Sequence, residues 1–119
     1  MFLAAQAVAA LVALLHAYFL VLEMFLWTRP AGRKAFGLTV EQAESTKVLA
    51  ANQGLYNGFL SAGLVWGLTM GAAGVPTLTF FLACVLVAGV YGALTASRKI
   101  LFIQGLAALV GLALLHLPV

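Results

Sequence analysis

The chain has 119 residues, 65% of them hydrophobic and only 8% charged. A water-soluble domain carries about 25% charged residues, so this sequence holds too few charges to solvate a globule of its size. Its length suits one domain, residues 1–119, rather than two. The formal net charge of +3 does not mark a nucleic-acid binder, because the basic residues fall at the ends of apolar runs and form no patch or stripe.

Crossing the hydrocarbon of a bilayer takes about 20 helical residues, and four segments of this chain qualify. The first runs from about Leu3 to Trp27. No basic residue precedes Arg29 and the apolar run is long, which predicts a retained helix rather than a cleaved signal peptide. Thr28, Arg29, Pro30, Ala31 and Gly32 are expected to stop it. The second segment starts near Val40 and ends near Met70. Thr39 and Gln42 have the spacing of a capping box. Its first turns carry Glu41, Glu44 and Lys47 and are expected to project into the headgroup region.

Gly71 to Pro76 reads as a short uncharged turn, with Pro76 suited to the first turn of a helix. The third helix is expected over about 77–96 and the fourth over about 100–117, joined tightly through Ser97, Arg98 and Lys99. Reading these two as one helix would leave a pair of cations in lipid at a cost of several kcal/mol. The predicted fold is therefore an all-α membrane protein, a four-transmembrane-helix bundle with antiparallel neighbours and short connections.

Topology follows from the cations. Arg29, Arg33, Lys34 and Lys47 flank the first connection, and Arg98 and Lys99 form the third, which accounts for all six Lys and Arg residues. The positive-inside rule puts those connections in the cytoplasm and both termini outside, in a multi-pass protein of the inner (plasma) membrane. Small residues recur at four-residue spacing: Gly54 and Gly58; Gly63, Gly67 and Gly71; Ala88 and Gly92; Gly89 and Ala93. In lipid such faces let helices approach closely, within one bundle or between copies in a homo-oligomer. The single cysteine, Cys84, cannot form an internal disulfide and is expected in the core.

Polar side chains inside membrane helices are costly and ask for an explanation. His16 and Glu23 lie two turns apart on one face of the first helix, roughly 10 Å along the axis, and Trp27 continues that face. Asn52, Gln53, Tyr56 and Asn57 cover an arc of about 140° of the second helix. Cys84, Tyr91 and Thr95 share a stripe of the third, and Gln104 stands one turn inside the fourth. Depth counted from the cations puts most of these groups in the cytoplasmic half, which predicts a polar cavity open to the cytoplasm with His16 at its floor. Each also has a plainer reading. The amides can bond helix to helix, Glu23 can pair with Arg29 or Arg33, and His16 can be a lone core histidine. His116 sits near the outer end and reads as interfacial. One histidine and one carboxylate fall short of the three or four ligands a zinc site needs, so no metal site is predicted. The sequence does not identify a cofactor.

The stretches LHAYFLVLEMFLW, FGLTVEQAESTKVLAANQGLYNGFL and CVLVAGVYGALTASRKILFIQG resemble a family of small bacterial four-helix integral membrane proteins classed as a domain of unknown function. The resemblance covers roughly residues 10 to 110, and the second stretch is its most specific part. It implies fold and location and supplies no activity. A looser, fold-level similarity exists to the membrane-associated eicosanoid and glutathione enzymes, which are short four-helix proteins that work as trimers. Their arginine-rich glutathione pattern is not evident here: the second helix has Lys47 and no arginine.

Three functions compete. A ligand-binding protein, or an enzyme on an amphipathic substrate, would hold a small or amphipathic molecule with its head at Glu23, Trp27, Asn52, Gln53, Tyr56, Asn57, Tyr91, Thr95 and Gln104, with Glu23 and His16 as candidate acid–base groups. A small oligomeric transporter or channel would use Glu23 and His16 in a proton or ion path. A structural partner would dock another membrane protein through its glycine faces. The outer half of the chain is almost entirely apolar, which argues against a simple pore and favours the ligand binder.

Overall fold

An apolar run without helix breakers makes the first element. The computed structural model describes residues 1–96 and 99–117, with side chains over 1–95 and 101–117. It has five α-helices and no strand among the described residues. Helix α1 spans Phe2–Phe25, a stretch with neither glycine nor proline. It closes where the Leu26 amide donates to the Val21 and Leu22 carbonyls at 3.2 and 3.3 Å.

The Arg29–Gly32 segment does not only stop α1. It opens a helix of its own, α2, over Pro30–Phe36, which corrects the expectation of four helices. Proline at the first helical position loses an amide that would have had no partner there and has its φ already set. Gly37, with φ 65°, ends α2 in the left-handed conformation that glycine adopts without strain. Gly32 is needed for a different reason: a Cβ there would lie 2.0 Å from the Leu26 carbonyl oxygen.

Helix α3 spans Val40–Thr69. The capping box expected at its start is present. The Gln42 amide donates to Thr39 Oγ1 at 3.1 Å, and the Thr39 amide donates to Gln42 Oε1 at 2.9 Å. A 3-10 turn over Gly71–Gly74 follows, and α4, Val75–Ala96, begins with Pro76 in its first turn. Helix α5 is Lys99–His116. The expected cationic turn through Ser97 and Arg98 lies outside the described residues. Helix α1 and the segment Gly71–Thr95 are each long and apolar enough to cross a membrane, and Leu101–His116 is a shorter apolar helix.

The chain forms two compact units, Met1–Leu14 with Leu60–Val119, and Leu15–Phe59. The core of the first is apolar: Ala9, Val12, Ala13, Leu64, Leu78, Leu82, Val85 and Ala108 are buried together. Its glycines set how closely backbones approach. A Cβ on Gly89 would meet Gly105 Cα at 2.7 Å, and one on Gly67 would meet Leu78 Cδ2 at 2.8 Å. The order of such pairs, Thr79 with His116, Gly89 with Gly105 and Gly92 with Leu101, makes α4 and α5 antiparallel. Cys84 is half-buried rather than enclosed in this core. His116, expected to be only interfacial, meets Thr79, with Nε2 3.0 Å from Thr79 Oγ1. The second unit has a small core of Trp27, Ala43 and Ala50, with Phe36 and Leu38 packed against it.

Candidate functional site

Within Leu15–Phe59, α1 and α3 meet along a seam of small residues. Ala43, Ala50 and Gly54 are buried on α3, spaced seven and four residues apart. That spacing keeps them on one face at 100° per residue. The absence of a side chain on Gly54 is what allows the approach: a Cβ there would lie 2.8 Å from Met24 Cγ and 3.0 Å from Glu23 Cβ. One turn on, a Cβ on Gly58 would lie 2.6 Å from Leu20 Cδ1.

This close approach puts two polar side chains together. The Asn57 amide donates to the Glu23 carboxylate across the seam. Glu23 is only 2% exposed. An isolated buried carboxylate is among the most costly groups a protein can hold, and hydrogen bonds to charged groups are the stronger ones. The pair is therefore a feature the packing has to sustain. Just past the end of α1, Trp27 makes a second polar tie to α3. Its Nε1–H donates to Thr46 Oγ1 at 3.0 Å, and the Thr46 hydroxyl donates to the Gln42 carbonyl at 2.6 Å. The Trp27 ring lies 5.0 Å from Phe36 of α2, centroid to centroid, so the short helix helps fix the indole. His16 is fully buried two turns from Glu23, its ring edge-on to Phe19 at 5.6 Å.

Beside this seam an open cleft of about 340 Å³ is lined by Glu23, Met24, Phe25, Trp27, Thr28, Lys47, Val48 and Ala51. Its wall thus contains one carboxylate, one ammonium, one indole and several apolar groups. Lys47 is more than half exposed and bonds Glu44 one turn back at 2.9 Å.

The other residues singled out from the sequence fall elsewhere. Asn52, Gln53 and Tyr56 are exposed on α3. At 100° per residue Asn52 lies roughly 140° from Asn57 and Tyr56 roughly 100°, so the seam selects Asn57 from the arc. Tyr91 is 70% exposed, and the Thr95 hydroxyl donates to the Tyr91 carbonyl in its own helix at 2.8 Å. Gln104 is buried, and its Oε1 finds no hydrogen-bond partner among the described residues. Arg33, an expected partner of Glu23, uses Nε to donate to the Thr28 carbonyl at 3.3 Å. Thr46, Lys47 and Phe36 also belong to this region. The first two stand in a run of hydrophilic residues at the start of α3, where composition gives no signal and only the spacing of Thr46 from Ala43 and Ala50 marks it as a seam residue. Among the described residues no three His, Cys, Asp or Glu side chains gather as metal ligands would.

Comparison with known sequences places these residues in a family. The family model described as "Protein of unknown function (DUF1304)" matches residues 10–116. The chain belongs to the DUF1304 family. The match takes in the α1–α3 seam and the cleft beside it. A relative within reach is "Uncharacterized protein YpaA" of Lactococcus lactis subsp. lactis (strain IL1403), 33% identical over 109 residues, covering 90% of this chain and 87% of that protein. No solved structure matches. The family relation agrees with the sequence resemblance to a domain of unknown function and brings no activity with it.

Proposed function

We propose that this DUF1304 chain is an integral protein of the inner (plasma) membrane that binds a small or amphipathic ligand in the cleft beside Glu23. In this reading α1, α3, α4 and α5 cross the bilayer as a four-helix bundle, and α2 lies at its cytoplasmic edge. The lengths support four crossings. Helix α5, with 18 residues, is about 27 Å long, close to the roughly 30 Å of hydrocarbon. Helix α3, with 30 residues, is about 45 Å long, and its excess is the hydrophilic start that carries Glu41, Glu44 and Lys47. The cations of the α1–α3 connection and of the α4–α5 turn then face the cytoplasm, with both termini outside.

The observation that carries the reading is Glu23: a carboxylate in an apolar helix, held by Asn57 and forming part of a cleft wall. A side chain so costly to bury in a membrane helix is a functional-site residue by default, and pockets with a few convergent polar groups among apolar walls are where ligands bind. Asn52, Gln53, Tyr56, Tyr91, Thr95 and Gln104 stay outside this cleft in the proposal. The test is to extract the purified protein with organic solvent and identify what it carries, alongside Val48→Trp. Val48 is 76% exposed on the cleft lining, so tryptophan there fills the cleft and leaves the core intact. A ligand present in wild type and absent from the folded variant supports the reading. An empty wild-type protein, or equal occupancy in both, contradicts it.

A second reading rests on His16 and Glu23 being buried on one helix: a proton or ion path in a small oligomeric transporter. It predicts ion flux in proteoliposomes that Glu23→Gln abolishes, whereas the binder predicts none.

A further inference from the structure

The charges on the cleft wall say what kind of headgroup would fit. Glu23 and Lys47 both line it, one on α1 and one on α3. The Trp27 indole has its N–H committed to Thr46, so what Trp27 offers a ligand is its ring. A carboxylate beside an aromatic ring is the usual setting for an ammonium group, which gains from the charge and from the ring quadrupole. An ammonium alone would leave Lys47 facing a like charge. An anion alone would suit Lys47 and be repelled by Glu23. Glu44 already bonds Lys47, and an ammonium nitrogen has donors for a further acceptor. Met24, Phe25, Val48 and Ala51 supply apolar wall for the rest of the molecule.

We propose that the cleft binds a zwitterionic headgroup of the phosphoethanolamine type, with its ammonium at Glu23 and Trp27 and its phosphate at Lys47. This rests on the ligand-binding reading and narrows it to a chemical class. In a bilayer the source is a phospholipid whose chains lie along Phe25 and Val48; a free phosphoethanolamine carries the same charges in the aqueous phase. Asn57 acts here as a positioning residue. It touches Glu23 and is not in the cleft lining.

The experiment is native mass spectrometry of the full chain in detergent micelles, titrated separately with palmitoyl-oleoyl phosphatidylethanolamine, with the matching phosphatidylglycerol, and with free phosphoethanolamine. The ethanolamine lipid should bind about tenfold more tightly than the glycerol lipid, the scale expected of one charge-assisted hydrogen bond. Glu23→Gln should remove that preference. Lys47→Gln should weaken both lipids about threefold, as fits an exposed charge, and leave their ratio unchanged. Because Lys47 is exposed, its variant keeps the test open if Glu23→Gln does not fold. Free phosphoethanolamine binding as tightly as the lipid keeps the headgroup assignment and moves its source to the aqueous phase. Equal affinity for the two lipids in wild type, or no effect of Lys47→Gln on either, overturns the headgroup assignment while cleft binding stands. Equal lipid occupancy in wild type and Val48→Trp overturns cleft binding itself.

Discussion

The two compact units solve helix packing in different ways. In Met1–Leu14 with Leu60–Val119, the buried cluster is eight apolar side chains, and glycine lets α4 and α5 touch backbone to backbone at Gly89 and Gly105. In Leu15–Phe59 the buried cluster is three residues, and much of the joining is polar: Asn57 to Glu23, and Trp27 to Thr46. Apolar side chains fill the core of the first unit. The second carries a buried carboxylate and a fully buried histidine that packing does not require, and the cleft with charged walls lies there. The contrast is not absolute: in the larger unit Ser61 donates to the Ala13 carbonyl at 2.8 Å, Thr79 meets His116 and Gln104 is buried.

The largest effect should come from the apolar unit. Gly89→Leu pushes a side chain into the Gly105 backbone, which cannot move as a flexible side chain can. Overpacking of this kind costs typically 1–3 kcal/mol and occasionally more, so thermal unfolding in detergent should show a Tm far below wild type. A Tm close to wild type would mean that α4 and α5 are not held at this distance. Next comes Asn57→Ala, which leaves Glu23 without its amide. The cost should be about 1–3 kcal/mol, with loss of bound ligand. Reversal of the pair, Glu23→Gln with Asn57→Asp, should recover part of it in a double-mutant cycle, and additive losses would say the two side chains act separately.

Trp27→Phe keeps most of the ring packing and removes the Thr46 bond. It should cost about 1 kcal/mol, with a similar loss in Thr46→Val and little further loss when the two are combined. Thr39→Ala removes half of the capping box and should cost roughly 0.5–2 kcal/mol. The change should appear as faster amide exchange confined to the first turn of α3. Wider exchange would show that the cap supports more than that turn.

Much of the fold was legible because apolar runs of this length admit few structures, and because Thr39–Gln42 and Pro76 are local signals that act through the backbone beside them. Helix α2 was not legible. Pro30 and Gly32 are breakers in a helix interior, yet here the first opens a helix and the second permits a close crossing over Leu26. For the site, Glu23, His16, Trp27 and Asn57 stand out in sequence because membrane-like helices rarely carry such groups. The selection of Asn57 over Asn52, Gln53 and Tyr56 depends on which face of α3 meets α1. The small residues Ala43, Ala50 and Gly54 record that face, and their period points to Asn57. Thr46 could have been found the same way. The Thr79–His116 contact depends on how α5 returns along α4 and has no local signature.

On the proposed reading, ligand chemistry belongs to the Leu15–Phe59 unit and the rest of the chain serves packing. The most direct measurement is bound-ligand stoichiometry by native mass spectrometry of wild type, Asn57→Ala and Thr79→Ala in nanodiscs. Asn57→Ala removes the tie to Glu23 in one unit; Thr79→Ala removes the contact with His116 and the hydroxyl's bond to the Val75 carbonyl in the other. Occupancy should be lost in folded Asn57→Ala and retained in Thr79→Ala. Retention in Asn57→Ala with loss in Thr79→Ala would contradict that reading.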